Sequence, residues 1–159
     1  MSNFTTNEED QREAAKLQAR LRNAASDDDG NGNNGEIDSA ATYHPIPNVT
    51  MAEGKHKYVL MSAVLPNSSE RQNFVVSSAF ASYHRDAAEP MVAALESSGY
   101  KSVAITGGGR ISLDTNKRSI SVYGFSYGFG LADHALSVSV IKNDERYKDF
   151  DVTWSNEGY

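Results

Sequence analysis

Thirteen of the fifteen aromatic residues lie between positions 51 and 159. Large apolar side chains are what a core is built from, so the folded core is expected after residue 50. Charge divides the opposite way. Residues 1–50 carry four Lys/Arg against nine Asp/Glu, a balance of −5; the remainder carries eleven against twelve. At 159 residues the chain suffices for one modest domain. The near-neutral core segment has no basic block, so a nucleic-acid partner is not expected. There is no run of about 18 apolar residues and no apolar stretch near the start, so neither a membrane span nor a secretory signal is expected. The chain has no cysteine. That excludes disulfides, thiolate metal sites and cysteine-based phosphatase chemistry, and makes a reducing, cytosolic or nuclear setting the default.

The front segment, 1–50, is expected to be an acidic, largely disordered extension. Residues 8–25 are rich in good helix formers, with Thr6 and Glu9 placed as a capping box. Only Leu17 and Leu21, with alanines, give that helix an apolar stripe, so a marginal, weakly docked helix is expected. Residues 26–35 form a polar, glycine-rich linker. Asp27, Asp29, Asn31 and Gly32 match the opening of a calcium loop. However, Asn34 stands where an apolar residue belongs, Asp38 replaces the bidentate glutamate, and Pro45 and Pro47 bar an exiting helix. A solvated linker is the better account.

In 51–159 the patterning predicts strands at 55–65, 72–80, 103–106 (continuing through 111–113 past three glycines), 119–125 and 150–154. Helices are predicted at 86–97, with Asp86 and Glu89 as capping box and Gly99 as the stop, and at 131–142. The expected architecture is a single small α/β domain: a mixed β-sheet flanked by two helices, with a flexible N-terminal extension.

Several motifs can carry chemistry. Gly124-Phe125-Ser126-Tyr127-Gly128 fits the serine-hydrolase elbow, but the only later histidine, His134, stands directly beside its candidate acid, Asp133, so no triad follows. Gly107-Gly108-Gly109-Arg110 is neither a Walker loop nor a dinucleotide fingerprint. It suits either a close strand contact or an anion site with Arg110 as a phosphate fork. The four histidines, at 44, 56, 84 and 134, fit no zinc spacing. His44 falls in the linker, His56 on a strand, and His134 within a helix as a packing residue. His84 falls just before a helix start, where free N–H groups and a partial positive charge attract anions. That field disfavours a charged ring and leaves a nitrogen lone pair for base or nucleophile chemistry. A plain helix-start residue is the bland alternative.

The strings Lys57-Tyr58-Val59-Leu60, Tyr83-His84-x-Asp86, Gly107-Gly108-Gly109-Arg110-Ile111-Ser112, Val122-Tyr123-Gly124-Phe125-Ser126, His134-Ala135 and Val152-Thr153-Trp154-Ser155-Asn156-Glu157-Gly158-Tyr159 occur in this order over residues 55–159. Together they resemble the small phosphohistidine phosphatases, also called the Janus family. The resemblance implies a small mixed-sheet α/β fold, no metal and no cofactor. It implies hydrolysis of phosphohistidine in protein substrates, extending to other phosphoramidates such as phospholysine. By position it makes His84 the catalytic residue, sets Lys57 on the phosphate and Arg110 beside it, and makes Ser126, Tyr127 and Gly128 a loop whose amides bind phosphate oxygens. That loop reads Ser-Tyr-Gly-Phe-Gly here, where animal relatives carry Ser-Met-Ala-Tyr-Gly, and Leu131 replaces a proline. The fruit-fly members are named for sex-specific expression, which keeps a non-catalytic phospho-binding module as the alternative. A monomer is expected.

Overall fold

The computed structural model describes residues 7–28 and 46–157. Its elements are α1 (Asn7–Asp28), β1 (Val49–Thr50), β2 (Gly54–Val64), β3 (Arg71–Ser77), α2 (His84–Ser97), β4 (Lys101–Asp114), β5 (Ser119–Tyr123), α3 (His134–Lys142) and β6 (Asp151–Trp154). The six strands form one sheet in the order β1-β3-β2-β4-β5-β6. The central neighbours are antiparallel, while β1 pairs with β3, and β6 with β5, in parallel. This is the expected mixed-sheet α/β domain, with three helices rather than two.

The central strand β2 is buried on both faces, which is why it reads as an almost continuous apolar run. Val59, Met61 and Ala63 join Phe74, Val76 and Ile105 on one face, under α1 and α2. Tyr58 and Leu60 join Val75, Ile111, Ile120 and Val122 on the other, against Ile141 of α3. The period of two thus sorts one strand into two cores.

β4 runs unbroken through Gly107-Gly108-Gly109. A Cβ at Gly107 would lie 2.7 Å from the Ala132 nitrogen, and one at Gly108 would lie 2.9 Å from the Tyr58 carbonyl and 3.0 Å from His84 Cδ2. These glycines are needed because neighbours press onto the strand, not because the chain turns. The register with β2 slips at Thr106, where Leu60 opposes Gly107 and Met61 opposes Ile105, and the Thr106 hydroxyl donates to the Leu60 carbonyl at 3.1 Å. This is a bulge.

α2 begins at His84, two residues before the expected start. The cap is not Asp86 with Glu89. Instead the Asp86 carboxylate folds back to accept from the Tyr83 N–H at 2.9 Å, while Glu89 pairs with Arg85. The helix ends as expected at Gly99, φ +91°. There the Gly99 and Tyr100 amides return to the Glu96 and Leu95 carbonyls, the glycine-dependent Schellman closure. α3 starts at His134 rather than 131, because the Asp133 carboxylate caps the Leu136 N–H at 3.1 Å. Leu131 is left half exposed. β3 stops at Ser77, short of the expected Phe80, which is almost fully exposed.

The helix expected over 8–25 spans residues 7–28 and docks on the sheet rather than lying loose. Ala14, Leu17 and Leu21 are buried against the face that carries Met61, Val103 and Ile105. Gln18 donates to the Ile105 carbonyl at 3.3 Å, Glu13 pairs with Arg85 at 2.9 Å, and Arg20 pairs with Glu96. Positions 14, 17 and 21 recur at helical spacing, so a thin stripe suffices where each member is fully covered. Thr6, His44 and most of the candidate calcium loop lie outside the described residues. Among the described residues, no helix is long and apolar enough to cross a membrane.

Candidate functional site

The first turn of a helix has amides without intrahelical partners, and its N-terminus carries a partial positive charge. His84 is the first residue of α2 and is fully buried. Its Nε2 contacts the Gly109 carbonyl at 3.0 Å. A carbonyl only accepts, so Nε2 carries the proton, and Nδ1 faces the other way, into the site.

What meets it there is Asp10 of α1. Asp10 Oδ1 accepts from the His84 backbone N–H at 3.1 Å, and Oδ2 lies 3.3 Å from Nδ1. The Ser126 hydroxyl donates to Oδ2 at 3.3 Å. The carboxylate is 1% exposed. Burial alone pushes its pKa up. Hydrogen bonds to the His84 ring and amide, the ring's charge and the Gly128 amide outweigh that and hold it below the ordinary 3.8.

The loop after β5 closes the site from below. Ser126 and Gly130 exchange backbone hydrogen bonds, 3.1 and 2.8 Å, and the Ser126 Oγ accepts from the Gly128 and Phe129 amides at 3.2 and 3.0 Å. The Ser126 amide is therefore used inside the loop, and the Gly128 amide points toward the bound carboxylate. Tyr127 stacks edge-on against Phe125, centroids 4.8 Å apart.

Lys57 and Arg110 are direct register partners on β2 and β4. With Val59 and Met61, Lys57 belongs to the sheet face under α1 and α2. Its pKa is lowered, first by burial and then by the charge of Arg110; Asp10 and Asp86 pull it back. The two cations thus share one electrostatic neighbourhood with Asp10. The six residues singled out in the sequence, Lys57, His84, Arg110, Ser126, Tyr127 and Gly128, come from four separate parts of the chain onto one side of the sheet.

His134 does not join them. Its Nε2 donates to the Gly124 carbonyl at 2.7 Å and its Nδ1 accepts from the Tyr58 hydroxyl at 2.7 Å. Tyr58 also bonds Ser137 at 2.9 Å. Both ring nitrogens are satisfied in the opposite core, the packing role expected for it. His56 is tied to the Glu53 carbonyl, far along β2.

The residue that sequence reasoning missed is Asp10. Its signal was present: Asp10, Ala14, Leu17 and Leu21 fall on one helix face, and a carboxylate at the end of an apolar stripe is one that folding buries.

A small α/β domain thus brings a helix-start histidine, a serine loop and two cations together around one carboxylate. Comparison with known proteins gives the class of that domain. The model of the Janus/Ocnus family matches residues 43–151, and the chain belongs to that family. It is 36% identical to the 14 kDa phosphohistidine phosphatase of Sus scrofa over 127 residues, 76% of this chain and 98% of the relative. It is 36% identical to that of Homo sapiens over 120 residues, 72% and 94%. It is also 29% identical to the sex-regulated protein janus-B of Drosophila erecta over 111 residues, 70% and 79%. The family match begins after α1.

Proposed function

We propose that this chain is a protein phosphohistidine phosphatase. The observation that carries the reading is that an anion already sits on the His84 amide and side chain and on the Ser126 loop, in a family with relatives named for this activity. A phosphoryl group offers the same oxygen acceptors with more charge. Lys57, Arg110 and the Tyr127 and Gly128 amides would neutralise it.

The bond to be cut is P–N, labile once the leaving nitrogen is protonated. Positioning and charge neutralisation therefore supply most of what catalysis needs, and no metal is invoked. With Nε2 held by Gly109, Nδ1 is the nitrogen that acts. In one route it takes a proton from water, whose oxygen bonds to phosphorus as the P–N pair leaves with a proton. In the other, Nδ1 itself takes the phosphoryl group, one imidazole exchanged for another, and water then cleaves the new P–N bond. An acid-labile, base-stable phosphoenzyme after rapid quench selects the second route. The phosphoramidates of lysine fall within the same chemistry, and a cytosolic setting suits a chain without cysteine.

The test is phosphate release from a phosphohistidine peptide, in chelator, by the wild-type chain and by His84→Ala. Turnover that falls at least about 100-fold in the variant supports the reading. Peptide binding without turnover moves the chain to the second reading, a phospho-binding module, which the relatives named only as sex-regulated proteins favour.

A further inference from the structure

We propose that α1 is a built-in competitor for the phosphoryl seat: Asp10 occupies it, and substrate gains access only when α1 lifts. This rests on the function proposed above and concerns the regulation of that same site.

The contacts are those an incoming phosphoryl group needs. Asp10 takes the His84 N–H, Nδ1 and the Ser126 hydroxyl. His84 and Ser126 are both buried beneath it, at 0% and 1% exposure, so no substrate reaches Nδ1 while α1 is docked. The docked state also engages the nitrogen that would react. With Nε2 protonated, a neutral ring would turn the Nδ1 lone pair onto a carboxylate. The contact is favourable only when a proton lies between them, and then Nδ1 is neither base nor nucleophile.

Two further features fit a separable strap. First, α1 is tied down outside the seat by side chains: Leu17 and Leu21 in the apolar face, Gln18 on the Ile105 carbonyl and Glu13 on Arg85. No strand pairing holds it, and the match to the family begins only at residue 43. Second, the loop makes room for it. A Cβ at Gly128 would fall inside contact distance of the Ala14 Cβ and 2.8 Å from the Asp10 carbonyl oxygen. The Gly128 backbone has no positive φ, so alanine is conformationally acceptable there. What forbids it is α1.

The proposal predicts that displacing α1 opens the seat. Two variants displace it by unrelated means: Gly128→Ala by steric conflict, and Leu17→Glu/Leu21→Glu by removing the apolar anchors far from the seat. Inorganic phosphate is titrated into wild type and both variants, with amide exchange of α1 followed alongside. Turnover of the phosphohistidine peptide is measured on the same samples. Phosphate is expected to bind at least tenfold more tightly to both variants, and kcat/KM is expected to rise in step. Saturating phosphate should strip exchange protection from α1 in the wild type itself, an arm that needs no variant to fold. Phosphate that saturates wild type with α1 protection unchanged overturns the proposal. So does weaker phosphate binding in both variants, which would make Asp10 part of the binding site. Tighter phosphate binding without any peptide turnover upholds the occlusion and instead removes the phosphatase reading.

Discussion

Asp10 and His84 lie 74 positions apart and meet at 3.3 Å in the interior, both side chains sealed from solvent. A buried carboxylate is costly to leave without its hydrogen-bond partners, so this contact couples the front helix to the start of α2. Its pH dependence has a definite sign. The folded pKa of Asp10 lies below its ordinary 3.8. A depressed carboxylate pKa contributes stability that is present above 3.8 and lost as pH falls through the folded value. Thermal unfolding of wild type should therefore weaken between pH 5 and more acidic conditions by more than that of Asp10→Asn, which has no proton to take up there. Equal acid slopes in the two proteins would show that Asp10 is not held as an ion.

Two glycines should respond differently to the same methyl group. At Gly109 a Cβ would meet His134 Cε1 at 2.9 Å and Tyr58 Cε1 at 3.1 Å, with the Tyr123 carbonyl closer still. All three belong to the sheet or to the core beneath it, so Gly109→Ala should lower global stability by about 1–3 kcal/mol or more. At Gly128 the obstacles are Ala14 and the Asp10 and Gln11 backbone, all in α1. Gly128→Ala should leave the denaturant midpoint of the sheet nearly unchanged while α1 loses exchange protection. Parallel losses in both probes would mean that α1 and the sheet unfold as one unit.

Much of this arrangement was legible in the chain. The strand alternation of Tyr58, Val59, Leu60 and Met61 assigned each residue to a face, and Gly99 marked the end of α2. His84 could be placed near a helix start because Asp86 follows it. The capping partner was not legible, since Asp86 bonds the Tyr83 amide rather than acting with Glu89, a choice that depends on the local backbone turn. Docking of α1 was not legible either. Propensity reports how readily a helix forms and says nothing of a sheet face 40 or more residues away that is waiting to be covered. Asp10 stayed hidden because an acidic residue in an acidic segment reads as solvated until its partner is known.

The Tyr58–His134–Ser137 network gives a contrast to the site. All three side chains are buried, and each hydrogen bond is internal. Burial raises the Tyr58 pKa well above its ordinary value, so the phenol stays protonated and donates to His134. Tyr58→Phe leaves the His134 Nδ1 without its donor, which should cost about 1–3 kcal/mol of stability. Because the network lies on the opposite face from Lys57 and Asp10, kcat/KM at a temperature where the variant is folded should stay within about twofold of wild type. A large loss of turnover with unchanged stability would mean that His134 acts in the reaction.

Lys57 offers the last test, on charge. It is half-buried beside Arg110, and burial together with that neighbour lowers its pKa from 10.5. A lowered lysine pKa means that the cation is lost earlier as pH rises: charged below the folded value, neutral above it. Phosphate binding to the Leu17→Glu/Leu21→Glu protein should therefore weaken on an alkaline limb that begins below 10.5. Lys57→Gln should remove the limb and weaken phosphate at neutral pH by about ten- to a hundredfold, the contribution of one charge-assisted hydrogen bond of about 1.5–3 kcal/mol. An alkaline limb that persists in Lys57→Gln would assign the titration to another group and leave Arg110 as the principal cation of the seat.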